Sequence, residues 1–131
     1  MNDILEEIKS RWQILLLAFI LFSLAGAMNA VMDTLDHHFS ISIFAGLNDQ
    51  WWNPALSWHN KYDYSFPFNI TQISDGWHLF KTMMLATIIY TSIFTGRRVV
   101  ITIGRIIVYT IIYGLAWNLS FNLFYNTILL K

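Results

Sequence analysis

"WQILLLAFILFSLAGAMNAVM", residues 12–32, carries no charged side chain and only Gln13, Ser23 and Asn29 as polar ones. At about 1.5 Å per residue, a helix over this run matches the roughly 30 Å hydrocarbon core of a bilayer. That reading sets the fold class: an all-α integral membrane protein. The string "DTLDHH", residues 33–38, follows without a break, so the first helix is placed over 13–38 with a polar outer end.

Working outward, residues 1–12 read as a short amphipathic start, with Ile4, Leu5 and Ile8 on one helical face opposite Glu6, Glu7 and Lys9. The basic flank, apolar stretch and small-residue string Ala25-Gly26-Ala27 also have the layout of a signal peptide; we take the run as a retained helix. A second span is expected at 75–95, "DGWHLFKTMMLATIIYTSIFT", and a third over 99–130, after "TGRR". The third is longer than the hydrocarbon core requires and must tilt, kink or project, with Gly114 as a bend point. The chain is one membrane domain, 1–131, with an outer cap over 39–74.

Composition agrees. Hydrophobic residues make up 56% of the 131 and charged residues only 12%, where soluble domains carry about 25% charged residues. Net charge is zero but segregated. Residues 33–78 hold five aspartates against Lys61, net minus four, together with all four histidines, and the remainder is plus four. With no basic patch or stripe, a nucleic-acid partner is excluded. Cysteine is absent, so a metal would need nitrogen and oxygen ligands.

Orientation follows from basic residues near the helix ends. Lys9 and Arg11 precede the first helix, and Arg97 and Arg98 sit between the second and third. This places the N-terminus in the cytoplasm, and the 33–74 segment and the C-terminus outside. Trp51, Trp52, Trp58, Trp77 and Trp117 then fall on the outer side and Trp12 on the inner, as interfacial tryptophans do. The aromatic density of 39–68 is too high for a disordered linker. Asn53-Pro54 and Phe66-Pro67 mark turns or helix starts.

Polar residues recur at helical spacing on all three spans. Asn29, Asp33 and His37 are spaced by four, Asp75 and His78 by three, and Asn118, Asn122 and Asn126 by four, so each set shares a helix face. All three lie at the outer level, which suggests one interior site. The ligand set expected for a divalent metal, zinc foremost, is His37, His59, Asp75 and His78, with Asp33 or Asp36 as ligand, acceptor for an imidazole N–H, or catalytic base. Lys81, Asn118 and Asn122 would contact substrate. The competing reading is that these are wet helix ends, with Ser74 or Asp75 only an N-cap. Lys81 can snorkel or stack on Trp77, four residues before it. Arg105 can snorkel to inner headgroups or pair with Glu6 or Glu7. No nucleophile elbow, phosphate loop or dinucleotide fingerprint is present.

"WWNPALSWHNKY", 51–62, and "SDGWHLFK", 74–81, resemble a small, uncharacterised family of bacterial integral inner-membrane proteins. The resemblance covers about residues 30–80. It implies a bacterial inner-membrane location, attaches no activity, and leaves His59 the most replaceable of the four ligands.

Two functions are expected to compete. One is a metal-dependent hydrolase acting on a lipid or lipid-linked group with zinc-activated water. The other is a non-enzymatic homo-oligomeric module, or a subunit of a larger membrane complex, whose small-residue run "SLAGAMNA" (23–30) permits close helix approach. An ion or proton pathway ranks below both, because the second span offers no acid in its middle.

Overall fold

A computed structural model describes residues 2–63, 70–98 and 103–131, and among these the chain is helical with no strand. Helix α1 runs Asn2–His38, α4 Gly76–Arg98 and α5 Ile103–Leu123, while two single-turn helices, α2 (Asp49–Trp52) and α3 (Pro54–Ser57), lie between α1 and α4. Three segments are long and apolar enough to cross a membrane: Arg11–Ile41, Gly76–Gly96 and Ile103–Ile128. The three long apolar helices expected are therefore present.

Boundaries differ in instructive ways. The segment 1–12 is not a separate element, since α1 continues back to Asn2. At about 1.5 Å per residue α1 is some 55 Å long, well beyond a hydrocarbon core. Excess length in the third span is absorbed at its far end rather than at Gly114, through which α5 is continuous. Residues Phe124–Ile128 widen into a π turn, and Leu129–Lys131 turn back onto the exit of α1. There Ile43 N–H donates to Leu129 O (2.9 Å) and Lys131 N–H to Ile41 O (2.8 Å). The connection 99–102, the Phe66-Pro67 pair, and the side chains of Ile4, Leu5, Glu6, Glu7 and Ile8 lie outside the described residues.

Of the three spans α1 is the most buried. Both α4 and α5 pack on α1 rather than on each other among the described residues, so α1 is the central post. Its junction with α5 is close. Ser120 Oγ donates to Ser23 O at 2.5 Å, Ser23 Oγ to Ala116 O at 3.4 Å, and Phe22 meets Tyr113 edge-on with centroids 5.1 Å apart. Gly26 makes that approach possible, because a Cβ there would lie 2.7 Å from the carbonyl oxygen of Trp117 and 3.0 Å from its Cα.

Tight packing concentrates at the cap end. Ala30, Val31, Leu35, Phe44 and Leu129 form a buried cluster, flanked by Trp52, Trp77, Phe80 and Phe121 among others. Phe44 and Trp52 stack at 4.9 Å. Gly76, the first residue of α4, lies directly under Trp52, whose ring carbon Cε3 would be 2.8 Å from an added Cβ. Further along α4 four hydroxyls bond within the helix. Thr87, Thr91, Ser92 and Thr95 each donate to the carbonyl one turn back, at 2.7–2.9 Å.

The α1–α5 contact yields a contrast between two glycines. Gly26→Ala drives a methyl into fixed backbone and should destabilise by about 1–3 kcal/mol. Gly104→Ala, with nothing within 4 Å of its Cβ, should be neutral or stabilising by up to about 1 kcal/mol from helix propensity. Thermal unfolding of both variants in one detergent checks the ordering.

Candidate functional site

Asp75 and His78 come together at the start of α4. Asp75 occupies the N-cap, its Oδ1 accepting from the backbone N–H of His78 at 2.8 Å. The same carboxylate turns Oδ2 to His78 Nδ1 at 2.7 Å and receives Ser74 Oγ at 3.2 Å. Asp75 is buried, while the His78 side chain is 19% exposed. The carboxylate thus fixes the imidazole by Nδ1 and leaves Nε2 as the ring atom able to meet a proton, ligand or ion.

What holds Asp75 in place is a network centred on Asn60. Asn60 is 1% exposed. Its amide donates to Gln50 O (2.7 Å) and Ser74 O (3.0 Å) and accepts from Gln50 Nε2 (2.5 Å). One side chain therefore ties α2, the 3₁₀ turn Trp58–Tyr62 and the residue before Asp75. The two short helices feeding this network are capped locally, Asn48 accepting from Gln50 N–H and Asn53 from Ala55 N–H, with Pro54 in the first helical turn.

The other expected ligands stand apart from the pair. His37 and His59 are exposed. Among the described residues, no three histidine, aspartate or glutamate side chains are grouped to hold a metal ion. For α1 the reason is helical phase. Asp36 is the acid that meets α4, accepting from Trp77 Nε1 at 2.9 Å. His37, about 100° further round the helix, lies on a different face. In the 58–62 turn Asn60 points inward, whereas the His59 ring lies on Trp58 with centroids 3.7 Å apart. His38, given no role by sequence, packs on Tyr125 at 5.4 Å. Asp33 is half-buried; its neighbour Thr34 is fully buried, with a hydroxyl lacking a hydrogen-bond partner among the described residues.

The expected substrate contacts also separate. Lys81 lies over the Trp77 ring, 4.8 Å from its centroid, the stacked arrangement that the spacing allows. Asn118 and Asn122 do not face the bundle interior. Both are exposed and bond within α5: Asn118 Nδ2 to Gly114 O at 2.7 Å, Asn122 Nδ2 to Asn118 O at 2.8 Å, and Asn126 Nδ2 to Asn122 Oδ1 at 3.1 Å. The side of α5 that meets α1 is instead Ala116 and Ser120, so the asparagines are rotated outward. They border a groove of about 450 Å³ lined by Ile111, Gly114, Leu115, Asn118, Leu119 and Asn122.

Chemically, the cap end offers an oriented imidazole, a cation stacked on an indole, and an exposed acid at Asp36. It can bind a proton or a single-point ligand at His78 Nε2. Sequence reasoning missed Gln50 and Asn60 as residues that build this end, and named Ser74 only as an alternative N-cap. The only signal for Asn60 was a polar residue amid aromatics, beside a histidine of more evident chemistry. No family matches this chain, nor does any curated protein or solved structure.

Asn60→Ala strips the donors from two backbone carbonyls at once and should destabilise by about 1–3 kcal/mol. Amide exchange should accelerate in 48–62 and the first turn of α4 while the middle of α1 stays protected.

Proposed function

We propose that this chain is an integral protein of a bacterial inner membrane, N-terminus cytoplasmic and cap outside, that acts as a non-enzymatic homo-oligomeric module with copies meeting along α5. Support for insertion comes from the three apolar spans, and for orientation from Lys9, Arg11, Arg97 and Arg98 near the ends expected to be cytoplasmic. The resemblance of residues 51–62 and 74–81 to bacterial inner-membrane proteins belongs to this proposal.

The observation that carries self-association is the outward asparagine ladder. Asn118 is about 22 Å along the axis from Ile103, less than the roughly 30 Å hydrocarbon thickness, so on this proposal it and the neighbouring Trp117 sit deeper than the outer interface expected from sequence. Each amide bonds once or twice within α5, which leaves donors and acceptors that lipid cannot satisfy. An amide ladder is complementary to itself, so a second copy about a two-fold axis answers it. Ile111, Leu115, Asn118 and Asn122 recur at steps of four, three and four, the 3.5-residue repeat of a helix–helix seam. Gly114 opens room beside them, with nothing within 4 Å of its Cβ position.

The absence of cysteine makes the test specific. Single cysteines at Leu115 or Asn122 should form disulfide-linked dimers in native membranes, and one at Ile89 on α4 should not. Replacing Asn118 and Asn122 together by leucine removes two interhelical bonds of about 0.7 kcal/mol each and should weaken the dimerisation constant about tenfold. Equal cross-linking from both faces, or an unchanged dimer after the double replacement, rules the interface out.

A second reading keeps the cap end as a divalent-metal centre, zinc foremost, of a hydrolase acting on a lipid or lipid-linked group. The Asp75–His78 contact favours it, because metal-bound imidazoles are commonly oriented by a carboxylate on their other nitrogen. On this reading His78 ligates through Nε2 and Lys81 attracts a phosphate. Protein purified without chelators should carry about one zinc per chain, lost in His78→Ala. A metal-free preparation eliminates the reading.

A further inference from the structure

At the end of the bundle opposite the cap, α4 and α5 leave a groove between them. Its volume is about 340 Å³, within the range of small-molecule sites, which begins near 300 Å³. Three helices wall it: Phe22 from α1, Ser92, Thr95 and Gly96 from α4, and Arg105 and Tyr109 from α5, among others. Most of the lining is apolar. The serine and threonine hydroxyls spend their protons on their own helix, Ser92 to Ile88 O and Thr95 to Thr91 O. They present lone pairs to the groove and repel rather than hold an anion. Arg105 is the cation on this wall. Its guanidinium has five N–H donors in a planar fork, enough to grip a phosphate while keeping contacts within the chain.

One cationic fork at the margin of an apolar slot suits a ligand with one anionic head and a hydrocarbon tail. A free anion would find a single donor group and an unfavourable floor. We infer that the groove between α4 and α5 holds an anionic glycerophospholipid, its phosphate against Arg105 and an acyl chain along Phe22. Basic pockets between membrane helices bind anionic headgroups by this chemistry. Gly96 is where the groove can be closed without touching charge, since its Cβ position has nothing within 4 Å. The inference rests on membrane insertion as proposed above, but not on the dimer.

The experiment is native mass spectrometry of the full chain in mild detergent, titrated with phosphatidylglycerol, phosphatidylcholine or diacylglycerol. Phosphatidylglycerol should be retained most strongly, at about one per chain. Arg105→Gln should lower that retention about tenfold, and Gly96→Phe should lower it comparably with the charge intact. Circular dichroism matching the parent shows that both variants are folded. Equal retention of diacylglycerol, or unchanged retention in both variants, overturns the inference. So does displacement of the lipid by millimolar inorganic phosphate, which would mark a site for the free anion. The Asn118→Leu, Asn122→Leu double variant should keep its lipid in full, which separates this result from the fate of the dimer. Loss of the chain from membranes on alkaline extraction would refute insertion, and both proposals with it.

Discussion

Contact between the α1 backbone at Gly26 and the Trp117 carbonyl of α5 sets the geometry from which the rest of the bundle follows. Two helices that close bring Ser23 and Ser120 within bonding range, bury Ala116 completely, and fix the rotation of α5 about its own axis. With that rotation fixed, Asn118 and Asn122 have one direction available, away from α1. α4 reaches the same post from another side. A bundle whose outer members each pack on the central helix has a divided interior. It leaves a groove between those outer members and an uncovered face on α5. Both proposed binding surfaces are thus consequences of one close backbone approach.

The cap end works on a different principle. Its aromatic cluster buries area but gives little direction, because stacked rings tolerate sliding. Direction comes from buried amides and carboxylates, which must be satisfied and so admit few arrangements. Asn60 ties three segments, and Asp75 caps α4 while holding His78. Apolar burial supplies the stability here, and the Gln50–Asn60–Ser74–Asp75 chain determines which single arrangement the short helices adopt.

Much of this was legible from sequence where the relevant spacing is local. The cap at Asp75, the Asp75–His78 pair, the Lys81–Trp77 stack (one of the arrangements its spacing left open) and the Asn53-Pro54 helix start all depend on residues within four positions of each other, and the three long helices on uninterrupted apolar runs. Helical periodicity tells which residues share a face but not where that face points. α1 is apolar on nearly every side, so nothing in its pattern indicated that Asp36 rather than His37 would meet α4. The asparagine ladder was visible as a stripe, and its outward direction was not, because the small residues that meet α1 are unremarkable in sequence. Asn60 was illegible for the same reason at longer range: its partners lie ten and fourteen positions away in chain segments without periodicity.

The tie between Ile41–Ile43 and Leu129–Lys131 joins stretches from opposite parts of the sequence. The entropic cost of closing a loop grows only slowly with its length, so even a short backbone tie can hold ends this far apart in sequence. A pull on residue 131 meets two backbone hydrogen bonds before it meets any helix, so the tie is the first element to yield, and its release withdraws Leu129 from the buried cluster. The bundle therefore has a latch at the cap, in which two backbone hydrogen bonds and the buried Leu129 side chain act together.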